Sequence, residues 1–179
     1  MNGFYSSVAG ATLRWHDFPG DGLPVVFIHG LGCASSYDYP RIASDPALRE
    51  RRKILIDLPG FGYSDKPRAF SYNIHEQALV LEQFLSHLRL QRFALFGHSM
   101  GGSIAIEAAG LLGERVTTLL VSEPTCSPAA ASTAGALLRS QRQPLSLTAM
   151  PGCWRRSARR GRVVYKTAPP GPSGGPPAA

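Results

Sequence analysis

An apolar run, Phe93-Ala94-Leu95-Phe96, ends in Gly97-His98-Ser99-Met100-Gly101-Gly102, and small residues then open a helical stretch. This G-x-S-x-G spacing is the pattern of a nucleophile elbow, a strand that turns sharply into a helix with the serine at its apex. The geometry explains the spacing. Side chains at Gly97 and Gly101 would collide across so tight a turn, which leaves glycine as the residue for both positions. The turn lifts the Ser99 hydroxyl clear of the sheet and aims the backbone N–H of Met100 at the place where an oxyanion would form. A helix that starts there adds the positive end of its dipole below the same spot. Three fixed letters in five also recur in ordinary glycine-rich turns, so the surrounding chain has to carry the rest of the reading.

The chain before this turn alternates between strand and helix patterns. Phe4–Val8 and Ala11–His16 flank Gly10 and read as a hairpin. Pro24-Val25-Val26-Phe27-Ile28 is continuously apolar, as expected of a strand covered on both faces, and ends at His29-Gly30-Leu31-Gly32. Residues 40–52 read as one short amphipathic helix, weakened by Pro46. Lys53-Ile54-Leu55-Ile56-Asp57 is a further strand and leads into the turn-rich Leu58-Pro59-Gly60-Phe61-Gly62-Tyr63-Ser64-Asp65-Lys66-Pro67. Ile74, Ala78, Leu81, Leu85 and Leu88 recur at helical spacing, so 73–89 is an amphipathic helix. A helix is expected over roughly 100–112, and Val116–Ser122 is another strand, stopping at Glu123-Pro124. This alternation implies an α/β fold with a mostly parallel sheet.

Beyond residue 125 the pattern stops. Residues 1–125 carry 11 Lys+Arg against 12 Asp+Glu, a net of −1, whereas 126–179 carry 8 Lys+Arg and no acid, a net of +8. The second segment also holds 8 of the 15 prolines and ends in a Pro/Gly/Ala run. Its composition buries too little apolar surface to offset chain entropy, so 126–179 is expected to be a largely disordered basic tail. An abrupt change of this kind is what a truncated gene with a shifted reading frame would leave. Arg155-Arg156 and Arg159-Arg160 lack an aromatic platform, so nucleic-acid binding is not expected. No run of 18 apolar residues suggests a membrane span, and the N-terminus does not read as a secretory signal. Cys33, Cys126 and Cys153 share no metal-ligand spacing, and a cytoplasmic location is the default.

Three motifs stand in order at the ends of expected strands: His29-Gly30-Leu31-Gly32, Asp57-Leu58-Pro59-Gly60-Phe61-Gly62-Tyr63-Ser64 and Gly97-His98-Ser99-Met100-Gly101-Gly102. Together they resemble the α/β-hydrolase fold superfamily, in particular its esterase, lactonase and C–C hydrolase branch, over about residues 4–125. The resemblance implies a serine hydrolase that acts on a small carboxylic ester or related acyl substrate, with no cofactor and no metal. It makes Ser99 the nucleophile and the amides of Leu31 and Met100 the oxyanion hole. His29, Gly30, Gly97, His98, Gly101 and Asp57 are then structural residues of the elbow and its neighbouring loops. Serine at the apex argues against the dehalogenase and epoxide-hydrolase branches, which carry an aspartate there. Glu123, just past the strand that follows the elbow, is the candidate acid, and a plain strand-end carboxylate is the alternative.

The departure from the family is as informative. In this fold the order is serine, acid, then histidine, yet no histidine follows His98. His16, in the hairpin, and His75 and His87, on the amphipathic helix, are poor substitutes. The expected lid and last strands are absent too, so the chain by itself is expected to be inactive or nearly so. The alternative function is a catalytically silent remnant or a binding module. With those strands missing, Val116–Ser122 would be an uncovered apolar edge prone to aggregation.

Overall fold

A computed structural model describes residues 1–125. They form a six-stranded sheet in the order β1-β2-β4-β3-β5-β6. The strands are β1 (Asn2–Ser6), β2 (Ala11–Phe18), β3 (Gly22–Ile28), β4 (Arg51–Asp57), β5 (Phe93–His98) and β6 (Val116–Ser122). The hairpin β1–β2 is antiparallel and joins β4 antiparallel, while β4, β3, β5 and β6 run parallel. The expected α/β class with a mostly parallel sheet and flanking helices is therefore the observed one. The proposed division at residue 125 and the disorder of the tail lie outside the described residues.

The apolar runs are explained by burial on two faces. Val26, Ile28, Ile54, Ile56 and Leu95 point to one side, into a core shared with α3 (Ile74–His87) and α4 (Met100–Leu112). Val25, Phe27, Leu55, Ala94 and Phe96 point to the other, against Tyr39, Ala43 and Leu48. Neither face of these strands meets water, so alternation is lost and the sequence reads as an unbroken hydrophobic run. The helix expected over 73–89 is α3, capped by Asn73, whose side chain accepts from the Glu76 N–H.

The helix expected over 40–52 is not continuous. A one-turn helix, α2 (Pro40–Ala43), stops before Asp45, and a 3₁₀ turn covers Pro46–Leu48. Asp45 accepts from Ala47 N–H at 2.8 Å and so restarts the chain at Pro46, which cannot donate within a continuous helix. A further one-turn helix, α1 (Ser35–Asp38), was not expected from the sequence. It is held by tertiary bonds: the buried Ser35 hydroxyl donates to Phe27 O at 3.0 Å, and Ser36 is tied to Asp57.

Candidate active site

The parallel registers bring three strand ends together. Ile28 lies opposite Gly97, and His98 lies opposite Ser122. Continuing each register by one or two residues sets Gly30 on one side of Ser99 and Glu123 on the other. The contact is close on the Gly30 side, where an added Cβ would sit 3.4 Å from both Ser99 Cβ and His98 O. Leu31 follows at the rim of the sheet and is exposed.

Ser99 occupies the junction between β5 and α4 with φ 53° and ψ −122°. This is a conformation that a residue with a side chain adopts only under constraint, at a cost on the order of 1–3 kcal/mol. The constraint comes from both flanks. Ser99 N–H donates to Ser122 O at 2.8 Å, and Ser99 O accepts from Gly102 N–H at 2.9 Å. A Cβ on Gly97 would fall 2.3 Å from Gly101 O, so the elbow is closed to any side chain there. Gly101 is excluded for a different reason from the one expected. Its Cβ would strike the carbonyls of Ile28 and His29 at 2.4 Å, on the neighbouring strand β3 and not across the turn. Met100 opens α4, and the first N–H groups of a helix have no acceptor within it.

The remaining expected residues stand at or just beyond the ends of β3, β4, β5 and β6. His29 is fully buried; its Nδ1 is 2.8 Å from Gly30 O and its Nε2 accepts from Leu58 N–H at 3.0 Å. That pair of bonds assigns the neutral tautomer with the proton on Nδ1. Burial lowers its pKa, against the Gly30 hydrogen bond and the charges of Asp57 and Asp38. The buried Asp57 carboxylate accepts from Ser36 N–H (2.9 Å), Ser36 Oγ (2.7 Å) and Tyr63 N–H (3.0 Å). It thereby pins α1 and the 58–67 loop to the end of β4. His98 closes β5, with its ring edge beside Gly30. Glu123 is exposed and holds φ 48°, so the chain reverses immediately after β6.

The other three histidines lie elsewhere. His16 is on β2, three strands from β5, or roughly 14 Å at normal strand spacing. His75 Nδ1 pairs with Glu107 Oε1 at 3.0 Å, and Glu107 is eight residues along from Ser99, about 12 Å of helix. His87 stacks on Phe4 at 4.8 Å, at the β1 edge. Among the described residues no group of three or more His, Cys, Asp or Glu could hold a metal ion, and no helix is long and apolar enough to cross a membrane.

Two groups at the site were not singled out in the sequence. Ser103 is buried one turn into α4 and donates to Thr125 O at 2.7 Å. Ser36 supplies two of the three bonds to the Asp57 carboxylate. A serine four residues after Ser99 is the only local signal for the first, and it is too common to mark a role.

A parallel sheet bearing a constrained serine between β5 and α4, flanked by the β3 and β6 ends, defines a class of hydrolase-type α/β proteins. Residues 24–150 match the family model of the alpha/beta hydrolase fold, and the chain belongs to that family. It is 38% identical over 120 residues to the dihydrolipoyllysine-residue acetyltransferase component of the acetoin cleaving system of Pseudomonas putida, covering 64% of this chain and 30% of that protein. It is 35% identical over 111 residues to haloalkane dehalogenase 2 of Mycobacterium tuberculosis, covering 62% of this chain and 38% of that one. An esterase structure from Exiguobacterium antarcticum superimposes with a TM-score of 0.63 at 28% identity, covering 69% of this chain and 46% of the esterase. The chain thus spans less than half the length of each of these proteins.

Proposed function

We propose that residues 1–125 are the nucleophile-bearing part of an α/β-fold serine hydrolase for a small carboxylic ester or related acyl substrate. The observation that carries this reading is the strained Ser99 held between the Gly30 and Glu123 strand ends. In the reaction, Ser99 Oγ attacks the carbonyl carbon and its proton passes to a base. The amides of Leu31 and Met100 stabilise the tetrahedral oxyanion, the alcohol leaves with a proton, and water then releases the acid from the acyl-serine. Serine favours acyl transfer over the haloalkane chemistry that one relative's name indicates. A carboxylate that displaces halide forms an ester that water can open, whereas a serine alkoxide would form a stable ether.

Glu123 is the proposed acid, because the register sets its backbone one strand from Ser99. The base is not supplied by residues 1–125. Both nitrogens of His29 are engaged, His75 pairs with Glu107, His16 lies on β2 three strands from β5, His87 ends α3 against Phe4, and the ring edge of His98 lies beside Gly30. Loss of the base in a serine protease costs about 10⁶ in turnover, so the 179-residue chain alone is expected to hydrolyse esters slowly or not at all. A catalytically silent role as a binding module is the alternative that the missing base favours.

Added imidazole separates the two. It can accept the Ser99 proton in place of the absent side chain, so p-nitrophenyl butyrate hydrolysis by the purified chain should rise with imidazole beyond the rise seen for Ser99→Ala. Equal responses of the two proteins would reject Ser99 as a competent nucleophile and favour the silent reading.

A further inference from the structure

Ser103 sits on the first full turn of α4, four residues after Ser99, and is 1% exposed. A serine inside a helix ordinarily turns its hydroxyl back to the carbonyl four residues earlier, which here would be Ser99 O. It does not do so. Ser103 Oγ donates to Thr125 O at 2.7 Å and lies 3.3 Å from Thr125 Oγ1. Ser99 O is left to accept from three backbone donors: Gly102 N–H at 2.9 Å, Ser103 N–H at 3.2 Å and Thr125 N–H at 3.4 Å. The third donor comes from outside the helix.

Thr125 reaches this place because Glu123, at φ 48°, reverses the chain straight after β6. Pro124 then lies on the bare backbone of Gly102, where an added Cβ would come within 3.2 Å of Pro124 Cβ. A closed ring results. Ser99 N–H is held by Ser122 O, and Ser99 O is held by Thr125 N–H. Thr125 is in turn held by the buried hydroxyl of Ser103.

We infer that Ser103 is a positioning residue for Ser99, latching Thr125 over the elbow so that the chain leaving β6 clamps both peptide groups of the strained serine. The inference rests on the reading of Ser99 as nucleophile for its functional meaning, but the latch itself is a matter of local geometry. A strained backbone persists only where its surroundings over-determine it, and the latch supplies the constraint on the side that the sheet does not cover. Small displacements of a reacting group are expensive in rate, so a loosened elbow should lower reactivity without altering what binds.

Residue-resolved amide exchange on the full 179-residue chain tests the latch directly. In Ser103→Ala, exchange of the Ser99 amide should accelerate at least about tenfold, while the β5 core amides of Leu95 and Phe96 stay within about twofold. Ser103→Thr, which keeps the donor, should restore protection. If Ser103→Ala does not fold, Thr125→Pro, which deletes the N–H to Ser99 O from an exposed position, is read in the same way. Unchanged Ser99 exchange, or an equal rise in Leu95 and Phe96, would overturn the inference. A fluorophosphonate supplies the functional readout. Ser103→Ala should lower the saturating rate of Ser99 labelling about tenfold or more and leave the half-saturating concentration unchanged. The expected exchange behaviour without any labelling of the unsubstituted chain would leave the latch standing and reject Ser99 as the nucleophile.

Discussion

The space that a methyl group at Gly97 would need is already filled by the carbonyl oxygen of Gly101, 2.3 Å away. Gly97→Ala should therefore force the elbow open, costing about 1–3 kcal/mol in thermal or denaturant unfolding and removing any reactivity of Ser99. Glu123 makes the opposite case, because its φ of 48° suits glycine better than glutamate. Glu123→Gly should raise stability by up to about 1 kcal/mol, and Glu123→Gln, which keeps the strain, should leave the unfolding midpoint close to its starting value. A destabilised Glu123→Gly would show that the carboxylate, not the backbone, matters most there. His29 gives a pH dependence. Burial holds its pKa below the ordinary 6.5, so the unfolded chain takes up this proton at a higher pH than the folded one. The stability that neutral His29 contributes is complete above about pH 6.5 and is lost as the pH falls below that value toward the folded pKa. The gap in melting temperature between the unsubstituted chain and His29→Gln should accordingly be widest near pH 7.5 and narrow toward pH 5.

Among the described residues β6 is paired on one side only, by β5, and is half-exposed along most of its length. The open outer edge of a strand that carries Leu119, Leu120 and Val121 is a template for association. The chain should self-associate in sedimentation experiments as its concentration rises, and Thr118→Lys, a charge on that edge, should reduce the effect. A monomer at all concentrations would argue that the edge is covered. The elements readable in advance were all six strands, β6 at its observed bounds, together with α3 and α4; burial sets the pattern most plainly in β3, β4 and β5, which lie between two layers. What was missed at α1 has no local signature, whereas the break in residues 40–48 was signalled locally by Pro46. Ser35 and Ser36 become helical because Phe27 O and Asp57 bind them, and residues 40–48 break because Asp45 caps a new turn at Pro46. Neither partner is near in sequence to the residues it holds in α1, so no window of periodicity could reveal them.

At the scale of the molecule, the three short motifs each sit where a parallel strand meets a loop, and the registers bring those ends together. The Asp57 motif was readable as loop structure and takes that part, fixing α1 and the 58–67 loop with one carboxylate. The latch through Ser103 and Thr125 was not readable, since it depends on a chain reversal at Glu123 that glutamate does not advertise. In the proposed function Ser99 is a preformed nucleophile, and no histidine of residues 1–125 is placed as its base. Intact-mass measurement after exposure of the purified chain to a fluorophosphonate tests it most directly, because that reagent phosphonylates an activated serine in an oxyanion hole and needs no completed turnover. A single adduct, formed slowly, mapping to Ser99 and absent from Ser99→Ala, is the expected result. An adduct that survives Ser99→Ala, or none after prolonged exposure of a folded chain, would contradict it.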